Sequence, residues 1–499
     1  MLFHSYSFLF VFLPVTWLVF MWLKRRRRGR LAFAWLTVCS FAFYAWWNPP
    51  FLLLILVSIS ANFSIGSWLS RAPPSQRLSV VWLGVLFNIG LIGYFKYAGF
   101  LAGIYSDISG APRITLDIVL PLAISFYTFQ QIAYLVDIYR GGQAESRFLD
   151  YVLFVVFFPQ LIAGPIIHPG ELLPQLKRVI NKPVRRAMVM VGLSMLVIGM
   201  FKKVVIADNI GQFFATAYPE IAAGALLSVA EAWAVMTASA LQIYFDYSGY
   251  ADMAAGLGLL FGVRLPLNFF SPYKATSPID FWRRWNITLM RFLRDYVYIP
   301  LGGSRYGETR KYAANLTTML VCGLWHGAGW NFLAWGAAVG AIIVVNGLWN
   351  SRSGNPQRQL PAGVRIIAGR ALTFVCYLLP LGFFMFPSLD DGLRVVASML
   401  GHQTTVLPTT GRFVAGIDIL PLAAWLTGGL LILYGLPNCQ QIFAPYRPTL
   451  PVLPAKVLAS ERSRIRWRPN LRWATCLAAM AWLSLGQMHQ LREFFYFQF

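Results

Sequence analysis

The chain alternates long apolar segments with short loops that carry most of its lysines and arginines. Many segments approach the ~20 residues that an α-helix needs to cross a bilayer, so they predict transmembrane helices. About eleven spans are predicted, at residues 5–23, 31–47, 51–69, 78–95, 115–138, 187–206, 222–244, 313–336, 371–386, 413–436 and 473–487, with weaker candidates at 251–261 and 337–348. The pattern indicates an all-α polytopic integral membrane protein.

The basic loops predict the orientation of these helices. Lysine and arginine favour the cytoplasmic side of a membrane, and residues 24–30 contain Lys24 and five arginines. Holding this loop in the cytoplasm places the N-terminus outside. The same rule makes the proline-rich, basic residues 438–472 a cytoplasmic loop.

Residues 151–167 are apolar but do not resemble a simple span. Pro159, Gly164 and Pro165 interrupt them, and basic residues flank them on both sides. A re-entrant hairpin is therefore predicted, because both of its ends then stay on the cytoplasmic side. Broken backbone at membrane depth is tolerated only where protein or a watery cavity covers it, so this segment is expected to line a cavity.

Composition excludes several classes of protein. Hydrophobic residues make up 57% of the chain and charged residues only 12%, which rules out a soluble multidomain enzyme. The formal net charge of +23 belongs to the loops between spans, so we expect a lipid bilayer around the chain and no nucleic-acid partner. The five cysteines lack metal-ligand or redox spacing, so no metal site is expected. Residues 1–499 are expected to form one membrane-embedded domain.

His326 is the strongest candidate for a catalytic residue. It lies in the apolar run 319–330 with three glycines that let a helix or a substrate approach closely. An ionisable group inside a span is costly, and an imidazole with an ordinary pKa of about 6.5 is suited to take a proton from a hydroxyl group. The alternative is a histidine that only hydrogen-bonds across a helix interface.

The segment 280–295 is the second candidate for a functional element. Its apolar residues recur at helical spacing while its arginines occupy other faces, which predicts one amphipathic helix near the cytoplasmic interface. Arg283 and Arg284 are suited to receive the phosphates of a donor. The alternative is a helix that only anchors in the lipid headgroups.

Isolated polar residues inside apolar sequence form a third group. Asp246 and Asp252 interrupt the run 244–253 and need partners, and structural pairing with an arginine is favoured over a role in a cavity. Gln130, Asp137 and His168 are interpreted in the same way, as structural polar residues or as groups that line a cavity.

Several longer motifs resemble those of the membrane-bound O-acyltransferases, and within that family the bacterial alginate O-acetyltransferase branch. They are FAFYAWW (41–47), PLAISFYTF (121–129), FPQLIAGP (158–165), YFDYSGY (244–250), DFWRRW (280–285), RDYVYIPLGG (294–303) and LWHG (324–327). Residues 115–350 are the part that resembles the family's catalytic core.

The resemblance implies transmembrane, re-entrant and interfacial helices around a central tunnel, in which an acyl group passes from a thioester to a hydroxyl group. The family's histidine corresponds to His326. In the polysaccharide-modifying branch a second histidine usually follows the Arg-Arg-Trp motif, whereas this chain has Asn286 there. Asparagine cannot act as a base, but it can orient a substrate or stabilise an oxyanion. The alternative is a weakened or inactive enzyme.

By this resemblance, His326 is the expected general base and Asn286 the orienting or oxyanion-binding residue. The residues expected to contact substrate or donor are Arg283, Arg284, Trp285, Trp325, Tyr247, Ser248, Asp246 and Gln130.

The expected function is O-acetylation of an exported polysaccharide at the bacterial inner membrane. Acetyl-CoA is the expected donor, with no bound cofactor. The acetyl group is expected to reach the polymer directly or through a periplasmic serine hydrolase-like acetyltransferase, in association with a polysaccharide synthesis complex. The alternatives are a non-catalytic scaffold or porter of an export complex, and a D-alanyl transferase that acts on teichoic acid.

Overall fold

Helices form nearly all the regular structure in the computed structural model, which describes residues 1–112, 114–352, 361–402, 417–460, 463–489 and 492–495. In this part of the chain one isolated backbone bridge joins Pro266 to Leu450. The predicted all-α class is confirmed. Residues 413–416 of one predicted span, and Arg462 of the predicted basic loop, lie outside the described residues.

The first six helices largely follow the apolar pattern. They are α1 (Leu13–Arg25), preceded by a π-helical turn Phe8–Phe12, α2 (Gly29–Ala45), α3 (Phe51–Arg71), α4 (Pro74–Ile92), α5 (Ala98–Ser109) and α6 (Ile124–Tyr139). A second π-helical turn, Gly93–Tyr97, joins α4 and α5 into one continuous segment. The predicted span 115–138 was wrong at its start, because residues 114–123 are not helical.

The interrupted apolar segment enters the protein as short helices. Helices α7 (Phe148–Val156) and α8 (Phe158–Leu161) precede α9 (Pro169–Asn181). Every residue from 150 to 167 is buried, so protein covers the broken backbone as expected.

The centre of the fold is one long helix. Helix α10 (Arg186–Met200) continues through the π-helical turn Phe201–Ala207 into α11 (Asp208–Ala222), and α12 (Val229–Leu260) follows. The two predicted spans 222–244 and 251–261 are thus a single helix, since its polar residues pair with neighbours instead of ending it. Helices α10, α11, α17 (Ala362–Met385), α18 (Leu389–Met399) and α19 (Ile419–Gly435) pack around it.

The segment 280–295 differs from the single interfacial helix that was predicted. It forms α13 (Pro278–Arg284) and α14 (Ile287–Leu293), and Asn286 between them adopts a left-handed conformation with φ of 42°. A residue in that conformation cannot continue an α-helix. Most apolar residues of both helices are buried against other helices, so the segment is part of the protein interior.

Three residues separate helix α15 (Gly307–His326) from α16 (Trp330–Arg352). The predicted boundary between spans 313–336 and 337–348 was therefore wrong: the break comes at the glycine-rich residues 327–329. The remaining helices are α20 (Cys439–Ile442), α21 (Ala455–Ser460) and α22 (Leu471–Gln487).

Six helical segments of the described residues are long and apolar enough to cross a membrane. They are Phe8–Arg25, Phe51–Arg71, Pro74–Ser109, Arg186–Ala222, Trp330–Ser351 and Ala362–Met385. Gly29–Ala45 and Ile419–Gly435 are shorter apolar helices. The other predicted spans contain helices that are shorter or more polar, and the whole is a multi-pass membrane protein.

The helical bundle has two ends. At one end, basic side chains tie the helices together: Lys24 binds the carbonyl groups of Val179 and Ile180, Arg30 pairs with Asp150, and Arg291 pairs with Glu171. We call this end the basic face. The other end, where α2 ends at Ala45 just before Trp47, is called the opposite face.

Candidate functional site

His326 is the last residue of α15 and is 5% exposed. Its ring centroid lies 5.2 Å from that of Trp335 and 5.1 Å from that of Phe384, both in edge-on contacts. The helix ends here because Gly327 is extended, and a Cβ atom at Gly327 would overlap the ring of Phe332. The glycine therefore lets α16 turn back tightly beside the imidazole.

His326 lines a cavity of about 160 Å³ toward the opposite face, here called the His326 cavity. Its wall includes Trp47, the loop 120–123 and the start of α6. Ile162 and Ala163 of the re-entrant segment also line it, which confirms the expectation that this segment lines a cavity. The cavity joins aromatic rings with the charged side chains of Lys96 and Glu493.

A larger cavity of about 810 Å³ lies at the basic face and is called the basic cavity. Its lining is apolar in part, with Ile287, Met290 and Ile343. Its five basic residues are Arg283, Arg284, Arg291, Arg294 and Lys311.

Three of the five basic residues have acidic partners. Arg284 pairs with Asp280 at 3.0 Å and Arg294 pairs with Asp295 at 2.7 Å, as Arg291 does with Glu171 at 2.6 Å. Arg283 and Lys311 form no ion pair with a carboxylate among the described residues. These two side chains are therefore the ones whose charge remains available to an anion in the cavity.

One helix borders both cavities. Met319 of α15 lines the basic cavity and His326, seven residues later, lines the His326 cavity. At 1.5 Å per residue the two positions are roughly 10 Å apart along the helix. A second connection is aromatic: Trp282 lines the basic cavity, and its ring centroid is 5.7 Å from that of Trp335, which contacts His326.

The sequence has clear relatives. Residues 145–386 match the sequence profile of MBOAT, the membrane-bound O-acyltransferase family. The peptidoglycan O-acetyltransferase of Helicobacter pylori is 39% identical over 429 residues, which are 80% of this chain and 80% of that protein. The probable alginate O-acetylase of Pseudomonas putida is 34% identical over the full length of both chains. The chain belongs to the membrane-bound O-acyltransferase family. It is an O-acyltransferase, as its motifs predict.

A more distant relative carries a different acyl group in its name. The teichoic acid D-alanyltransferase of Streptococcus thermophilus is 26% identical over 239 residues, which are 46% of this chain and 57% of that protein. The O-acetyltransferases named above align with a larger part of this chain, and at higher sequence identity.

Asn286 lies beside α12 rather than in the wall of either cavity of the acyltransferase. Its side-chain oxygen accepts a hydrogen bond of 3.3 Å from the hydroxyl group of Tyr247. Its side-chain nitrogen is buried and has no hydrogen-bond partner among the described residues. The amide nitrogen is thus an unused hydrogen-bond donor in the protein interior.

The other residues expected to contact substrate are distributed unevenly. Trp325 lines the His326 cavity, whereas Trp285 is buried in the core with its ring stacked on Phe281. Ser248 is buried on α12. The side chain of Gln130 donates to the carbonyl group of Phe154 at 2.9 Å, so it holds the re-entrant segment against α6.

The two aspartates of α12 form buried ion pairs. Asp246 binds Lys203 at 2.8 Å and Asp252 binds Lys202 at 2.9 Å. Pairing was expected, but the expected partner, arginine, was wrong. The π-helical turn Phe201–Ala207 of the acyltransferase supplies two consecutive lysines instead.

A polar network joins Asp137 and His168, which were interpreted from the sequence as structural or cavity-lining residues. The hydroxyl group of Tyr296 donates to Asp137 at 2.7 Å and lies 3.1 Å from Nδ1 of His168, which is 3.4 Å from Asp137. These contacts agree with a structural role at the basic face.

Sequence reasoning missed Lys96 and Lys311. Lys311 lies near the start of α15, among polar residues that carried no signal. Lys96 did carry one, because it is a single cation inside the apolar helical segment Pro74–Ser109. The predicted end of that span at residue 95 left it just outside.

Proposed function

We propose that this acyltransferase moves an acetyl group from acetyl-CoA to a hydroxyl group of an exported polysaccharide. The supporting observation is that α15 carries a wall residue of the basic cavity and, two turns on, the buried His326 in the wall of the opposite cavity. We place the donor in the basic cavity and the acceptor in the His326 cavity, both of which this helix borders. The enzyme is assigned to the bacterial inner membrane, with the basic face in the cytoplasm and the N-terminus outside.

The basic cavity is suited to coenzyme A. The nucleotide end of that molecule carries several phosphates, which Arg283 and Lys311 can bind with charge that no described carboxylate neutralises. The apolar wall formed by Ile287, Met290 and Ile343 suits the uncharged arm that ends in the thioester. Arg284 and Arg291, with their acidic partners, shape the wall rather than bind phosphate.

In the proposed reaction, His326 is the one residue that carries a proton. A neutral nitrogen of His326 takes the proton of the acceptor hydroxyl group, and the oxygen attacks the thioester carbonyl carbon. A tetrahedral oxyanion forms. The carbon–sulfur bond then breaks, the acetyl ester remains on the acceptor, and the leaving thiolate takes the proton back from the imidazolium. A single histidine is sufficient for this sequence.

Asn286 is assigned to orientation or oxyanion stabilisation. Its hydrogen bond from Tyr247 fixes the amide group so that the side-chain oxygen is occupied and the nitrogen can donate. Fixed donors aimed at a developing negative charge are worth roughly 10²–10³ in rate. Asparagine at this position is therefore compatible with an active enzyme.

The chemical class of the acceptor is assigned from the relatives and from the lining of the His326 cavity. The relatives of similar length carry names that refer to acetylation of alginate and of peptidoglycan, both carbohydrate polymers. The His326 cavity combines the rings of Trp47 and Trp325 with polar groups, a lining suited to a sugar. Transfer takes place directly or through a periplasmic serine hydrolase-like protein, beside a polysaccharide synthesis complex.

The test is acetyl transfer by purified enzyme in lipid nanodiscs, with radiolabelled acetyl-CoA and a soluble oligosaccharide or the periplasmic partner. His326→Gln is expected to lower turnover to background while the protein remains inserted and folded. His489→Gln, which removes an exposed imidazole at the end of α22, is the matched control and is expected to retain wild-type turnover. Full activity of His326→Gln would falsify the assignment. If the enzyme is active only with a D-alanyl carrier protein, that protein and not acetyl-CoA is the donor.

A further inference from the structure

Lys96 is a cation placed inside a membrane-spanning helix. It belongs to the π-helical turn Gly93–Tyr97, within the 36-residue apolar segment Pro74–Ser109. An ionisable residue at such a position is costly and indicates a functional role by default. Single π-helical turns inside α-helices are also frequent at functional sites.

The turn binds the end of the helix that carries His326. The ammonium group of Lys96 donates to the carbonyl oxygens of Trp325 at 2.6 Å and of His326 at 3.1 Å. The hydroxyl group of the next residue, Tyr97, donates to the carbonyl oxygen of Leu324 at 2.5 Å. The last three carbonyl groups of α15 are thus all bound by one turn of a neighbouring helix. A cation at this helix end also interacts favourably with the partial negative charge of the carbonyl groups.

The ammonium group of Lys96 is bound by carbonyl oxygens and by no described carboxylate. Within the part of the chain that the structure describes, no carboxylate forms an ion pair with it. Two of its three N–H groups are used by the carbonyl oxygens, and the side chain lines the same cavity as His326. Glu493 also lines this cavity.

We propose that Lys96 is a positioning residue for acyl transfer: it holds the end of α15 so that His326 faces the cavity, and its positive charge favours the anionic tetrahedral intermediate. The inference rests on the proposed function of His326. Negative charge that forms in the His326 cavity is attracted by the ammonium group of Lys96, which lines the same cavity. Tyr97 shares the first role but not the second, since its hydroxyl group is neutral.

Four variants separate these roles in the nanodisc assay: Lys96→Met, Lys96→Gln, Lys96→Arg and Tyr97→Phe. Lys96→Met and Lys96→Gln are expected to lower kcat about 100-fold, the usual loss for one stabilising donor. KM for acetyl-CoA is expected to stay unchanged, because the donor enters from the basic face. Lys96→Arg, which keeps the charge, is expected to retain kcat within about tenfold of wild type. Tyr97→Phe is expected to lose less than about tenfold, the effect of one neutral hydrogen bond.

The glutamine variant guards against simple misfolding, because its amide can still donate to the carbonyl groups of α15. Thermal unfolding measured on every variant identifies any that fails to fold. Wild-type kcat in Lys96→Gln, an arginine variant as slow as the methionine variant, or a rise in KM that accounts for the whole loss would each overturn the inference. His326→Gln in the same series separates the two proposals: if it is active, the proposed function fails, and if it is inactive while Lys96→Gln is fully active, only the role of Lys96 fails.

Discussion

Gly336 lets α16 approach α15 closely, and replacing it with alanine tests whether that spacing positions His326. A Cβ atom at Gly336 would lie 2.5 Å from the carbonyl oxygen of Met319 and 3.1 Å from Cα of Leu320. Both neighbours belong to the backbone of α15, so no side chain can rotate away. Small residues at helix interfaces in membranes permit this kind of backbone contact.

The size of the effect follows from these distances. The oxygen is about 0.9 Å closer than the start of ordinary van der Waals contact at 3.4 Å, so the two helices must separate by nearly that amount. Overpacking of this kind costs roughly 1–3 kcal/mol, against a gain of about 1 kcal/mol from the helix propensity of alanine. Because α15 ends at His326, we expect the imidazole to shift by up to about 1 Å, which can lower the rate about 100-fold.

The assay compares Gly336→Ala with Gly428→Ala in nanodiscs. Gly428 lies in α19 with nothing within 4 Å of an added Cβ atom, so it provides the same substitution without the clash. Turnover and thermal unfolding are measured for both. Gly336→Ala is expected to lose turnover and stability, whereas Gly428→Ala is expected to keep both. Equal behaviour of the two variants would show that the spacing of α15 and α16 does not control the site.

Three further predictions concern charge, backbone and donor binding. Lys203→Met leaves Asp246 buried without its ion-pair partner. The variant is expected to be less stable by about 3–5 kcal/mol in urea or thermal unfolding. Adding Asp246→Asn should recover part of this loss of stability. Asn286→Gly and Asn286→Ala should both lose activity, but only the alanine variant should also lose about 1–2 kcal/mol of stability, because φ at this position is 42°. A glycine variant with wild-type turnover would exclude a role for the amide group. The double variant Arg283→Gln, Lys311→Gln should raise KM for acetyl-CoA about tenfold or more and weaken its dependence on salt, with little change in kcat. An unchanged KM would place the donor elsewhere.

The catalytic candidate could be found from sequence because it breaks a local rule. His326 is an ionisable residue in an apolar run with several glycines, and that contrast is visible without knowing any contact. Helix boundaries were harder to predict from the sequence. The segment 280–295 has the spacing of one helix, and only the backbone at Asn286 shows that it is two.

Lys96 illustrates a different kind of failure. Its importance depends on carbonyl groups about 230 positions later in the chain, at Trp325 and His326. Hydrophobic periodicity describes only neighbours on one helix and contains no information about such a pairing. The lone charge was visible in the sequence, but its partners were not.

The amino-acid sequence by itself determined that this is a helical, multi-pass membrane protein of the O-acyltransferase family with a histidine in its apolar core. Those properties follow from local hydrophobicity and from motifs, which need no tertiary contacts. Only the tertiary structure decided which basic residues are paired with a carboxylate, because Arg291 is neutralised by Glu171, 120 residues away, while Arg283 has no such described partner. It also decided that one helix borders both cavities, since a cavity exists only where distant segments pack together.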